Sequence, residues 1–139
     1  MNPIVRNVLA VLAGLFLGGL VNMAIIKLSP FIIPPPPGAD VTTEEGLKAS
    51  IHLFQPIHFL MPFLAHAIGT LVGGFFAALL AASRKMLLAL IVGAFNLSGG
   101  IMAVLMFPAP MWFNVADLVL AYFPMAWLGA TLATFKKSL

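Results

Sequence analysis

Four stretches of this chain stay apolar over the length of a bilayer's hydrocarbon core, which leaves few ways to fold it. Bounded by charges and prolines, they run over about 8–26, 57–83, 86–107 and 112–135. With 62% hydrophobic and 8% charged residues in 139, the chain has too little polar surface to cover them in water, so a soluble globule is excluded. The reading is an all-α integral membrane protein. A single transmembrane domain, 1–139, forms an antiparallel four-helix bundle with a proline-rich outer loop (28–56) and a short interfacial helix.

The first run, Val8 to Ile26, follows Arg6 and ends at Lys27. At 1.5 Å per residue it spans about 30 Å. A basic start before an apolar core is also the pattern of a signal peptide, but this run exceeds the length of such a core, so a span is expected. Within it Ala10, Gly14, Gly18 and Asn22 recur every four residues and form a narrow face open to close helix approach. In the second run Ala65, Gly69, Gly73, Ala77 and Ala81 make a longer stripe of the same kind, which marks this helix as the centre of the bundle. Gly93 and Gly100 share a face with Asn96 in the third. Gly14, Gly18, Gly69, Gly73, Gly93 and Gly100 are therefore the candidate packing glycines. So much close-packing surface exceeds what three neighbours within one chain need, which predicts a homo-oligomer or a larger membrane complex.

The connections are equally specific. Pro34 to Pro37 followed by Gly38 cannot be helical and should run as a polyproline strut. Thr42 with Glu45 three residues later is a capping-box pattern, predicting a short amphipathic helix over Thr43 to Phe54 with Leu47, Ile51 and Phe54 on one side. Pro62 should kink the second span and free the carbonyl of His58. Arg84–Lys85 and Pro108–Pro110 are turns too short for anything but antiparallel neighbours, and Pro124 should kink the fourth span.

The net charge of +3 comes from basic residues scattered between apolar runs, with no basic stripe, so a nucleic-acid partner is not expected and the lipid bilayer is. Arg6, Arg84, Lys85, Lys136 and Lys137 fall on one side; Lys27 and Lys48 fall on the other with Asp40, Glu44 and Glu45. The positive-inside bias then places both termini in the cytoplasm, in a bacterial inner membrane. Cysteine is absent, which removes disulfides, thiolate metal sites and cysteine nucleophiles.

Polar residues inside the spans are the candidates for function. Counted from the outer ends, Asn22 and Asp117 lie about five residues in, roughly 7 to 8 Å, and His66, Asn96, Ser98 and Tyr122 about nine to eleven in. They come from four helices, while the cytoplasmic half is almost wholly Ala, Gly, Leu, Val and Phe. An outward polar vestibule lidded by the Thr43 to Phe54 segment is expected, with these six residues as candidate substrate or ion ligands. Asp117 would hold a cation or proton; its structural alternative is a hydrated interfacial carboxylate near a helix start, and that of His66 is an interhelical hydrogen bond. A Ser98–His66–Asp117 assembly is conceivable, but the four-residue depth mismatch between His66 and Asp117, about 6 Å, argues against a tight triad.

Neither a metal nor a cofactor is assigned: His58 and His66, eight residues apart, are about 12 Å from each other along the axis and cannot share an ion. No Gly-x-Ser-x-Gly elbow, His-Glu-x-x-His or phosphate loop occurs, so no catalytic residue is named and the balance is against an enzyme. Length and span count resemble small multidrug transporters and fluoride channels, but the first span holds Asn22 rather than an embedded glutamate, and the likeness is one of count alone. The expectation is a small ion or small-molecule transporter or channel. The alternatives are an accessory or scaffold subunit that docks through its glycine faces, and an intramembrane enzyme.

Overall fold

The computed structural model of the chain describes residues 1–135; Lys136 and Lys137, counted above as topology signals, lie outside the described residues. The described residues contain six α-helices and no strand: α1 (Pro3–Ile32), α2 (Glu44–Ser50), α3 (Leu60–Leu80), α4 (Lys85–Met106), α5 (Met111–Leu120) and α6 (Phe123–Phe135). Short 3-10 turns, Ile51–Leu53 and Pro56–Phe59, lead into α3. Four segments are long and apolar enough to cross a membrane: Pro3–Ile32, Pro56–Leu80, Lys85–Met106 and Met111–Phe135.

Helix α1 is longer at both ends than the apolar run implied. Asn2 caps it, its side-chain oxygen accepting from the Ile4 N–H at 2.8 Å, and Pro3 fills the first helical position, where no donor is needed. At the far end the helix continues through Lys27 and Pro30. Pro30 forfeits only the bond to the Ile26 carbonyl. The stop comes at Ile33, extended at φ −126° and ψ 96°, because Pro34 excludes the helical conformation from the residue before it. The long connection therefore starts at Ile33 rather than at Leu28.

That connection turns sharply. The Ala39 N–H donates to the Pro36 carbonyl at 3.1 Å and Gly38 has φ +82°, a type II turn with Pro37 and Gly38 at its corners. Helix α2 is capped by Thr43, whose hydroxyl accepts from the Gly46 N–H at 2.9 Å. Thr42, the expected cap, instead donates through both backbone N–H and hydroxyl to Asp40, holding that exposed carboxyl below the usual carboxylate range. The short helix ends at Ser50 instead of reaching Phe54. Leu47 and Phe54 close over the C-terminal end of α1, bordering a small apolar cavity with Ile26 and Pro30.

The entry to α3 absorbs the expected kink. Because Pro56–Phe59 is a 3-10 turn and α3 begins at Leu60, Pro62 falls in the first helical turn, where a missing N–H leaves no carbonyl stranded. His58 is held locally, its Nδ1 accepting from the Gln55 backbone N–H at 2.9 Å. Helix α3 ends at Leu80, three residues before Ser83.

Helices α1, α4 and α6 all pack on α3. Glycine sets the approach on every side. A Cβ on Gly14 or Gly18 would lie 2.5 Å from the carbonyl oxygens of Gly73 and Gly69 respectively, so α1 and α3 touch backbone to backbone. On the opposite flank, a Cβ on Gly74 would meet the Ala126 carbonyl at 2.8 Å, and one on Gly93 the Ala126 methyl at 2.9 Å. Gly100 lies under the ring of Tyr122. Below these contacts Ala78, Ala89 and Ala130 form a fully buried alanine cluster. The glycine faces offered above for oligomerisation or docking are thus consumed within the chain, whereas Gly19 and Gly99 have nothing within 4 Å of where a Cβ would sit.

The start of α1 also ties down the α3–α4 turn. Arg6 Nε donates to the Leu80 carbonyl at 2.8 Å. The Asn7 carbonyl oxygen accepts from Ala82 N–H at 2.9 Å and Ser83 N–H at 3.3 Å, and its amide donates to the Ser83 hydroxyl at 3.0 Å. Arg84 completes the turn in the left-handed region at φ +50°. Asn7→Ala should cost about 1 kcal/mol, because the amide is exposed and water replaces part of what is lost. Thermal denaturation in detergent should show a lower midpoint than wild type, and an unchanged one would mean the turn holds itself.

Candidate functional site

The site forms where the fourth span breaks. Pro124 has no N–H for the Leu120 carbonyl and its ring crowds the preceding turn. The chain leaves the helix at Ala121 and Tyr122 and re-enters at Phe123, so that Pro124 sits in the first turn of α6. In an unbroken helix residues five apart point about 140° away from each other. The break lets Tyr122 turn back, and its hydroxyl donates to Asp117 Oδ2 at 3.0 Å.

Asp117 is 4% exposed and uses both oxygens. Oδ1 lies 2.8 Å from Nδ1 of His66 on α3. The depth mismatch expected from the sequence is therefore wrong as an argument against contact. Counting from span ends treated Ile57 and Trp112 as level, whereas the rings of Phe59 and Phe113 meet at 4.7 Å between centroids, tilted by 35°, and set the real register. From that pair His66 is only three residues deeper than Asp117, a gap the two side chains close. The His66 ring also stacks on Tyr122, centroids 5.9 Å apart and 26° between planes.

With Asp117 ionised its oxygens only accept, and the arrangement then suits Tyr122 donating to one of them and the Nδ1–H tautomer of His66 donating to the other. Nε2 has no partner among the described residues and is left to a cavity of about 300 Å³ that His66 lines. Around it stand Asn22 from α1, Thr70 from α3, Asn96 from α4 and the Tyr122 ring, on a floor of glycines that includes Gly18 and Gly69. Asn96 donates to the Thr70 hydroxyl at 3.0 Å, and the Asn22 amide has no hydrogen-bond partner among the described residues. Gly18, Gly69, Asn96 and Tyr122 lie at the middle of the four long apolar segments, so the cavity is at half height.

Of the six candidate ligands, His66, Asp117 and Tyr122 form one hydrogen-bonded cluster, and Asn22 and Asn96 face the same cavity. Asp117 stands behind His66 and Tyr122 rather than on the wall, which differs from its expected part as a direct ligand. Ser98 is elsewhere: it is exposed, its hydroxyl donates to the Phe95 carbonyl at 2.6 Å, and it does not line the cavity, so the serine triad is not assembled. The α2 segment does not border this cavity either; it lines the smaller one at the C-terminal end of α1. Among the described residues no group of three or more His, Cys, Asp or Glu side chains could hold a metal ion.

Four lining residues, Gly19, Thr70, Phe95 and Gly99, were missed by sequence reasoning. Gly19 and Gly99 are exposed at the cavity mouth, each the neighbour of a packing glycine; the doublets Gly18–Gly19 and Gly99–Gly100 carried that signal.

These features define an all-helical chain with four segments of membrane-spanning length and a polar, histidine-bearing cavity between them. Comparison with protein-family models, with curated proteins and with solved structures finds no match to this chain.

Proposed function

We propose that this is a small transporter or channel-like protein that crosses the bilayer four times as an antiparallel bundle and moves a proton through His66. The observation that carries the reading is the orientation of that imidazole: one nitrogen fixed by a buried carboxylate, the other free toward a polar cavity. A proton taken up at Nε2 makes the His66–Asp117 pair neutral, and its release leaves the pair negative, so uptake and release change the charge of the cavity wall. Ionisable groups at such depth are costly and gather where ions or protons pass. A helix broken at the same level, Ala121–Tyr122, supports the reading, since irregular backbone within a span is tolerated where it lines a cavity.

The charge distribution supports an orientation with both termini cytoplasmic and the proline-rich connection outside, in a bacterial inner membrane. Arg6 and Arg84 gather at one end of α1 and α3, and Lys27, Lys48 and the acidic residues of the connection at the other. The scaffold alternative loses its surface because the glycine faces are used internally, and the same fact removes the argument for an oligomer; the proposed unit is the single chain. The enzyme alternative loses its serine.

Proteoliposomes loaded with a pH-sensitive dye and given a potassium diffusion potential test the reading directly. Wild-type protein should acidify or alkalinise the lumen, according to the sign of the potential, faster than protein-free vesicles. Equal rates at every potential, with added protein verified as inserted, would sink it.

A further inference from the structure

The cavity's mouth faces sideways. Helices α1 and α4 make little contact with each other, and in the gap between them Gly19, Phe95 and Gly99 are exposed, with Phe95 at 63%. The opening lies at half height, far from either end of the bundle. In a bilayer, the reading this inference rests on, such a gap opens onto acyl chains rather than onto water.

The lining chooses the occupant. No Lys, Arg, Asp or Glu lines the cavity, and Asp117 is screened by His66 and Tyr122. A phosphate or carboxylate head would find no countercharge, and dragging it to the bilayer centre is costly. What the cavity offers is neutral hydrogen bonding: His66 Nε2, the unpartnered Asn22 amide and the remaining capacity of Asn96. A polar amide left without a protein partner at this depth needs one. A volume of about 300 Å³ holds a head and the first carbons of a tail, not a whole lipid.

We infer that the cavity takes a neutral amphiphile from the bilayer, with an uncharged hydroxyl or carbonyl head on His66 and Asn22 and a hydrocarbon tail leaving between Gly19 and Gly99. The head is then the partner with which His66 exchanges its proton or hydrogen bond.

The test uses the full chain in phosphatidylcholine nanodiscs and a hexadecanol carrying a photoreactive diazirine beside its hydroxyl. After irradiation, adducts on residues 18–22 and 95–100 should exceed those at the lipid-facing Phe16 and Leu105 by about tenfold, the ratio expected for a site over bulk lipid contact. Unlabelled hexadecanol should remove the excess, and hexadecyl phosphate, palmitate or glycerol should not. Gly99→Leu should suppress labelling without lowering the thermal midpoint, since its side chain enters open space; Gly19→Leu on the opposite lip provides the same check should Gly99→Leu fold poorly. Adducts spread evenly over all lipid-facing positions, or labelling untouched by both leucines, would overturn the inference. Labelling needs no flux and flux needs no label: specific adducts without proton movement would keep the amphiphile site and remove the transport reading. Proton movement without specific adducts would do the reverse.

Discussion

Asp117→Asn is expected to reduce proton flux by tenfold or more, on the order of the loss when a positioned proton carrier is disabled. An amide in that place can still accept at Oδ1, but its nitrogen must donate where Asp117 Oδ2 accepts from the Tyr122 hydroxyl. The Tyr122 hydroxyl can accept from that nitrogen as well as donate, so both contacts can survive, and what the variant removes is the negative charge beside the imidazole that takes up the proton. His66→Gln removes the imidazole that would carry the proton and should abolish the flux outright. Tyr122→Phe leaves the His66–Asp117 contact of 2.8 Å in place and takes one of the two hydrogen bonds from a buried carboxylate. It should lower stability by about 1–3 kcal/mol while the remaining flux keeps its dependence on pH. If all three variants conduct like wild type, the cluster is packing chemistry and nothing more.

The second large effect concerns the helix contact. Gly18→Leu places a Cβ 2.5 Å from the Gly69 carbonyl oxygen, a backbone atom that cannot swing aside. Helices α1 and α3 must then part by ångströms along their length, which exposes the facing glycines and pulls Asn7 from its turn. The expected result is loss of a folded, monodisperse species on size exclusion, with a destabilisation above about 4 kcal/mol, in the range reserved for overpacking against an unyielding wall. Gly19→Leu, one residue on, meets nothing within 4 Å and should leave the elution profile and thermal midpoint unchanged. Adjacent glycines with opposite outcomes discriminate this packing from a general intolerance of bulk in the first span. Matching outcomes at the two positions would show that α1 does not sit as described.

How much of this was legible in the chain depends on whether the signal was local. The four long apolar helices follow from run length, and the glycine faces from spacing by four; both are properties of one segment at a time. What faces what is not. The spacing marks Gly14 and Gly18 as a helix-packing face and leaves open whether the partner lies in this chain or another, because one-dimensional spacing names a contact face without naming its partner, which is the equally narrow face of Gly69 and Gly73. The His66–Asp117 contact was misjudged for a related reason. Depth counted along each helix assumes a common starting level, and the offset comes from a 3-10 turn and an aromatic pair, Phe59 with Phe113, that bring the spans into register across space. The kink expected at Pro62 and the one expected at Pro124 show the same limit. One proline falls in a first turn and costs nothing; the other is preceded by a full break that creates the site. Asn7 gave no signal at all, since its two partners, Ala82 and Ser83, lie in a turn distant in the chain.

The clasp between Asn7 and the Ala82–Ser83 turn bears on how the protein is made. Helix α1 finds its main packing partner, its glycine contacts and its end clasp in α3 and the turn after it, beyond the whole proline-rich connection. Until Ser83 has been synthesised, α1 has a bare glycine face and no end clasp. The nascent chain is therefore most exposed to wrong partners in that interval, and a stalled intermediate ending before Ser83 should be the species that quality-control proteases capture.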